Sequence, residues 1–341
     1  MTPLLEVHDL HVDIPLSHAR LHAVRGVSLV VGTGEAVGLV GESGSGKSLA
    51  LRALLGMLPV PVRFAGGTVL LDGEDVTGLP AKQRHRKLTD AMSMIFQDSL
   101  TALNPVMRVG DQIAEAPLRK LGKSRSEANA IAVDLMGKVG IPDPERRFRS
   151  YPHELSGGMR QRICIAIALS TKPRLILADE PTTALDVTIQ AQVLGVLRRL
   201  KEEEHVAMLL VSHDLAVVSQ ACSRLYVMYA GKVVESGRLV DLVSAPKHPY
   251  TFSLLRSVPD PDHRVDRLLT IDGQPPDLSE PLTGCSFAPR CPFATDRCRG
   301  EDPALEHVEG AVGAPRQSAC WHVDSADRWA KGVQAEMERQ H

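Results

Sequence analysis

Residues 41–48 read Gly-Glu-Ser-Gly-Ser-Gly-Lys-Ser and fit the pattern G-x-x-x-x-G-K-[ST]. Each residue type in that spacing has a task at a nucleotide phosphate. Glycines let backbone N–H groups curl around phosphate oxygens, and a helix N-terminus behind them adds the positive end of its dipole. The Lys47 ammonium reaches the β and γ phosphates, and the Ser48 hydroxyl ligates Mg²⁺. Gly41, Glu42, Ser43, Gly44, Ser45, Gly46, Lys47, Ser48 and Leu49 are the expected nucleoside-triphosphate-binding residues. A second run, Arg174-Leu-Ile-Leu-Ala-Asp-Glu180, is an apolar strand ending in two acids. Asp179 is expected in the Mg²⁺ shell, and Glu180 beside the water that attacks the γ-phosphate. An apolar strand closed by Asp-Glu says little alone. Joined to the loop at 41–48, it reads as a nucleoside-triphosphate hydrolase.

The elements that must position these groups are legible along the chain. Residues 1–40 alternate apolar and polar like strands, ending in the short buried strand Val37-Gly-Leu-Val40. A helix is expected from Ser48 to Leu58, and strand alternation resumes over 67–76 around an Asp72-Gly73 turn. Met92–Phe96 is a short apolar run ending at Gln97. From about 110 to 165 the pattern is helical. Ser124 and Glu127 have capping-box spacing, and Ala128, Ile131, Ala132, Leu135, Met136 and Val139 mark one face. Apolar strands follow at Leu175–Ala178 and Ala207–Val211, separated by a helix over Val187–Glu204. Strands alternating with helices imply an α/β fold with a mostly parallel, covered sheet. After about residue 240 Pro and Cys become frequent and periodicity fades, so a separate appendage over 241–341 is expected beside a nucleotide-binding domain over 1–240.

Composition narrows the partners. Aromatic residues make up 4% of the 341, the formal charge is −2 and the pI is near 6.7. That gives neither a base-stacking platform nor a basic footprint, so no nucleic acid is expected. The Arg-rich stretches Arg84–Lys87 and Arg146–Arg149 read as solvated surface. No apolar run approaches the roughly 18 residues that span a bilayer, and the N-terminus carries acids where a signal peptide carries bases. A cytoplasmic protein is expected, with any membrane role exercised through a partner.

Leu155-Ser-Gly-Gly-Met159, followed by Arg-Gln-Arg, resembles the signature sequence of the ABC ATPases. That resemblance covers about residues 4–240 and implies a phosphate-loop fold: a RecA-like parallel core, an antiparallel β subdomain and a helical subdomain at about 100–165. It further implies that Ser156, Gly157 and Gly158 close over ATP held by a partner subunit. Gln97 matches the lid glutamine that senses Mg²⁺ and the γ-phosphate. Ala184-Leu-Asp186 matches the loop crossing the dimer interface, placing Asp186 in the trans contact, and His213 matches the switch histidine. Glu180, His213, Gln97 and Lys47 are thus the implied catalytic set, and Ser48, Gln97 and Asp179 the Mg²⁺ set. One departure stands out. The family stacks adenine on an aromatic residue near the positions of Ile14 and Pro15, yet no Phe, Tyr or Trp precedes Phe64. Either His22 or an aliphatic contact replaces the stack, or nucleotide affinity is modest.

His248-Pro-Tyr-Thr251, continuing to Leu254-Leu-Arg-Ser-Val-Pro259, resembles the tail of ATPases serving oligopeptide, dipeptide and nickel importers. The segments at Phe96–Pro105 and Ala178–Gln190 resemble the same subgroup. By its residues alone, HPYT is an extended Pro-containing turn with an aromatic anchor. Cys285, Cys291, Cys298 and Cys320 stand apart by five, six and twenty-one intervening residues, the spacing of the cluster-binding pattern in peptide-importer ATPases. Four thiolates can close a [4Fe–4S] cluster; zinc and unligated thiols are the alternatives. Cys164 and Cys222 lie in apolar patterns and read as core residues. The resemblance thus implies a motor for peptide import on the cytoplasmic face of the inner membrane. Its implied partners are two transmembrane permease subunits, a second ABC ATPase that is a relative or another copy, and indirectly an extracytoplasmic solute-binding protein. Nickel, glutathione or another small solute could be the cargo instead. A soluble ABC ATPase acting on DNA or ribosomes is the rival from another class, but no sustained heptads lie between Lys47 and Ser156, and one set of motifs is present.

Overall fold

A computed structural model describes residues 3–183, 185–257, 271–280, 282–309 and 315–325. Ala184, the end of the HPYT segment at Val258–Pro259 and the last part of the expected appendage lie outside the described residues. The chain opens with β1 (Pro3–Pro15), β2 (Arg20–Gly32), β3 (Ala36–Val40), α1 (Lys47–Leu54), β4 (Arg63–Leu71) and β5 (Glu74–Asp75). Next come α2 (Ala81–Ala91), β6 (Met92–Ile95), α3 (Ser99–Ala102), α4 (Val109–Arg119), α5 (Arg125–Lys138), α6 (Pro144–Arg147) and α7 (Gly157–Leu169). Alternation resumes with β7 (Leu175–Asp179), α8 (Val187–Glu204), β8 (Ala207–Ser212), α9 (Leu215–Ser219), β9 (Arg224–Tyr229) and β10 (Lys232–Arg238). The tail adds α10 (Leu239–Ser244), α11 (Pro249–Arg256), α12 (Asp296–Gly300), β11 (Glu306–His307) and β12 (Gln317–Ser318).

These elements fall into two compact units. One comprises residues 1–5, 31–36 and 71–212. Within it β8, β7 and β6 run parallel, with Leu175 opposite both Ala207 and Met92. Every residue of β7 and β8 is buried, which is why both read as unbroken apolar runs without alternation. The helical segment behaves as its periodicity predicts. Ser124 and Glu127 form a reciprocal capping box at the start of α5, and Ala128, Ala132, Leu135 and Met136 are buried. Cys164 is buried in α7, and burial pushes its thiol up to about 12. It is a core residue, as expected.

The other unit comprises residues 6–30, 37–70 and 213–341. β2, β1 and β4 are neighbours in that order in one sheet. β3 pairs in parallel with β9, which pairs antiparallel with β10. The described tail then extends the same sheet: β12 pairs with β10 through Glu235↔Ser318, and β11 pairs with β12. α1 stops at Leu54, four residues short of the expected end, because Gly56 takes φ +67 and the chain turns towards Pro59. The HPYT segment also differs from its expected form. It is a helix start, with His248 as N-cap and Pro249 at the first position of α11. Pro has no N–H to leave unpaired and a preset φ, so it suits that position as well as it suits a turn.

Candidate functional site

The phosphate loop lies between β3 and α1, as the strand–loop–helix reading requires. Its glycines are forced by contact as well as by backbone angle. A Cβ on Gly41 would lie 2.0 Å from the Met228 carbonyl oxygen, and one on Gly46, at φ +98, would lie 2.3 Å from the Ala23 carbonyl oxygen. Lys47 is buried, and its ammonium donates to the carbonyls of Gly41 at 2.7 Å and Glu42 at 2.8 Å. Ser45 Oγ lies 3.4 Å from the same nitrogen. Lys47 is thus drawn back across its own loop, with Ser43 and Gly44 exposed at the turn and Ser48 and Leu49 half-buried in the first turn of α1.

β2 borders this loop through Ala23, and His22 precedes that contact. The His22 imidazole is half exposed, and its Nδ1 lies 2.8 Å from Oδ1 of the buried Asp13. Arg20 pairs with the other oxygen of Asp13 at 3.3 Å. The carboxylate orients the ring, a role for Asp13 that no motif announced. In the same unit His213 is exposed, and Asp214 caps α9 through the Ala216 N–H.

The acidic residues belong to the other unit. β7 delivers Asp179, which is fully buried, and Glu180 follows at φ +46. That left-handed backbone is unfavourable for a glutamate and persists where the surroundings over-determine it. Here the Glu180 N–H donates to the Val211 carbonyl at 3.0 Å. Its carboxylate accepts from Gln97 Nε2 and from Thr183 Oγ1, both at 2.9 Å. Gln97 and Glu180 were expected in one site, and here they touch. Thr183 adds a contact that no sequence motif marks, its one signal being the Thr pair directly after Asp-Glu-Pro.

The signature forms the N-terminus of α7. Ser156 caps it through the Met159 N–H at 3.4 Å and is exposed, as is Gly157. Gly158 is buried, and a Cβ there would lie 2.5 Å from Ile189 Cγ2. Asp186 caps α8 through the Ile189 N–H at 2.9 Å, so signature and interface loop meet at adjoining helix starts. Both are presented on one surface of this unit.

In the tail, Cys285, Cys291, Cys298 and Cys320 line one small cavity together with His248, Phe287 and Trp321. Burial raises the Cys285 thiol and pushes Cys291 up to about 11 and Cys320 up to about 12. Each of these three is also raised by neighbouring thiols of the same set. Among the described residues, no group of three or more His, Cys, Asp or Glu side chains is placed to hold a metal ion. Nor is any helix among them long and apolar enough to cross a membrane.

The tail also reaches the phosphate loop. Tyr250 Oη accepts from the Glu42 N–H at 2.8 Å, and Arg290 makes a two-pronged ion pair with the Glu42 carboxylate at 2.8 and 3.1 Å. Sequence reasoning did not find this contact, because the partners stand more than two hundred positions apart.

Comparison with known proteins places this geometry. The family model described as "ABC transporter" matches residues 24–183, and that described as "Oligopeptide/dipeptide transporter, C-terminal region" matches 234–298. The dipeptide transport ATP-binding protein DppD of Escherichia coli is 44% identical over 326 residues, covering 95% of this chain and 98% of its own length. The oligopeptide transport ATP-binding protein OppD of Salmonella typhimurium is also 44% identical, over 91% of this chain and 92% of its own. Among solved structures, the dimeric bacterial ABC transporter cassette MJ0796 superposes with TM-score 0.62 at 26% identity, covering 69% of this chain and 98% of that one. The dimeric post-hydrolysis state of the same cassette, bound to ADP and Pi, matches equally well, with TM-score 0.62 at 25% identity.

Proposed function

From the premise that this chain belongs to the ABC transporter ATPases, beside the dipeptide and oligopeptide ATP-binding proteins, we propose that it binds and hydrolyses ATP to energise peptide uptake. Glu180 is the general base for water, with Gln97 and Thr183 orienting its carboxylate. Lys47 and His213 organise the γ-phosphate, and Ser48, Gln97 and Asp179 hold Mg²⁺. Ser156, Gly157, Gly158 and Asp186 engage the ATP of a second ABC subunit, a related ATPase or another copy. The observation that carries the catalytic assignment is the Glu180 carboxylate, aimed by two hydrogen bonds from a strained backbone at the end of β7.

Glu180→Gln preserves the side chain's size and removes its basicity. Turnover is expected to fall at least about a hundredfold, the scale of general-base catalysis, while MgATP binding persists. Single-turnover hydrolysis by the purified variant checks this, and near-normal activity would overturn the assignment.

The motor domain is taken as residues 1–240, and the tail from 241 as its appendage. The complex is completed by two membrane-embedded permease subunits, with a solute-binding protein outside, so the chain works peripherally on the cytoplasmic face of the inner membrane. The four tail cysteines are the candidate ligands of a [4Fe–4S] cluster that would staple the lobe, although as described they share a cavity without being placed to hold a metal ion. Four thiols around one cavity, with few periodic apolar residues nearby, support this reading. Such a cluster supplies cross-linking here, and binding it must release protons from thiols whose pKa burial has raised. Iron and acid-labile sulfide in the anaerobically purified chain test it. About four of each per chain are expected, lost in Cys298→Ser; stoichiometric zinc without sulfide would refute the cluster.

A further inference from the structure

Glu42 is an awkward residue for a phosphate-binding loop. Its carboxylate adds a negative charge where a triphosphate must approach, and unit charges still repel noticeably at such range in a partly desolvated site. In this chain every polar group of Glu42 is engaged, and two of its partners come from the tail. Its N–H donates to Tyr250 Oη at 2.8 Å, and its carbonyl accepts from Lys47 at 2.8 Å. Its carboxylate takes both terminal nitrogens of Arg290.

Both tail residues are themselves fixed. Tyr250 is fully buried, with its ring 4.6 Å from that of Tyr229 and 5.5 Å from that of Phe287. The Arg290 side chain is only 4% exposed. It donates to the carbonyls of Asp272 and Ile271 at 2.9 Å and approaches Tyr229 Oη at 3.3 Å. It also precedes Cys291, so the cysteine lobe and the phosphate loop share one rigid contact.

We propose that Arg290 and Tyr250 are positioning residues for ATP binding: the tail lobe neutralises Glu42 and fixes the entry of the phosphate loop through them. Two physical effects follow. A glycine-rich loop loses much conformational freedom when it closes on phosphate, and anchoring Glu42 beforehand reduces that loss. A bidentate guanidinium also cancels the carboxylate charge and holds it in one orientation. This reading rests on residues 41–48 being the ATP phosphate site. It assigns the HPYT tyrosine a task in the motor, beyond marking the tail.

MgATP titration calorimetry on the full-length chain tests it, alongside steady-state ATPase. Arg290→Gln leaves the Glu42 charge uncompensated and is expected to raise the Kd for MgATP about tenfold. Tyr250→Phe, which keeps the ring packing, should raise it roughly threefold, the scale of one hydrogen bond in a screened setting. In both, KM should move more than kcat. The decisive arm is the double variant Glu42→Gln/Arg290→Gln: removing the orphaned charge should return Kd part of the way to the parent value. Arg299→Gln, which breaks an exposed pair with Asp296 in the same lobe, should leave Kd unchanged. Parent-like binding by Arg290→Gln and Tyr250→Phe overturns the proposal, as does a double variant no better than Arg290→Gln. If Arg290→Gln fails to fold, Tyr250→Phe alone decides, by a Kd moved or unmoved. A parent chain that binds no MgATP at all would instead remove the phosphate-site reading on which the proposal stands.

Discussion

The absence of an aromatic residue ahead of Phe64 focuses the residue scale on His22. It directly precedes Ala23, whose carbonyl oxygen leaves no room for a side chain on Gly46 of the phosphate loop, and the buried Asp13 orients its ring. An imidazole offers a π-face for a base, and a neighbouring carboxylate limits its rotation, so little freedom is left to lose on stacking. His22→Ala is expected to raise KM for ATP about three- to tenfold with little change in kcat, the signature of a contact made equally in ground and transition states. His22→Tyr should restore or tighten it. Steady-state kinetics against ATP and GTP checks both, and an unchanged KM in the alanine variant would leave an aliphatic contact as the replacement. Such an aim was not legible in sequence, because Asp13 and His22 sit on different strands and only their pairing brings them together.

Among the elements, α11 is where the sequence reading and the structure part most. His248 caps it with Nδ1 accepting from the Tyr250 N–H at 3.0 Å, a bond that requires the neutral ring. Burial lowers His248 to about 3, well below the ordinary 6.5. A base with a depressed native pKa favours the folded state fully above its unfolded pKa, and that contribution is lost as pH falls from about 6.5 towards 3. The full slope is about 1.4 kcal/mol per pH unit for one proton. Glu235 beneath it is raised by burial, despite Arg316, and contributes with the opposite sign, so the observed slope is smaller. His248→Asn retains a capping side chain without the titration. Urea unfolding at pH 7.0, 6.0 and 5.0 should show stability falling in the parent and a flatter profile in the variant. Equal slopes would place the acid sensitivity elsewhere. Pattern alone suggested a turn here because Pro-containing turns and helix starts share residue preferences. Burial of Tyr250 against Tyr229 and Phe287 decides for the helix.

At the scale of the molecule, the tail is tied into the sheet of the unit that carries the phosphate loop. β12 adds to β10, and Arg316 meets Glu235 at 2.8 Å with both side chains almost wholly buried. Removing one partner of such a pair leaves an uncompensated buried charge, so the tail contributes to the unit as a whole. Periodicity falls after residue 240, yet texture reports how a segment is stabilised and not what it packs against. The local devices are legible in the chain without its fold: the phosphate loop with its following helix, the apolar strands of β7 and β8, the capping box of α5 and the glycines at the start of α7. Each is fixed by residue types at short spacing, where sterics and hydrogen bonding act within a few residues of chain. Only tertiary structure settles which groups on different elements meet: Gln97 on Glu180, Asp13 on His22, and Tyr250 and Arg290 on Glu42. Those contacts depend on how strands order and how a long tail returns, and loop closure over such distances leaves no periodic trace in the chain.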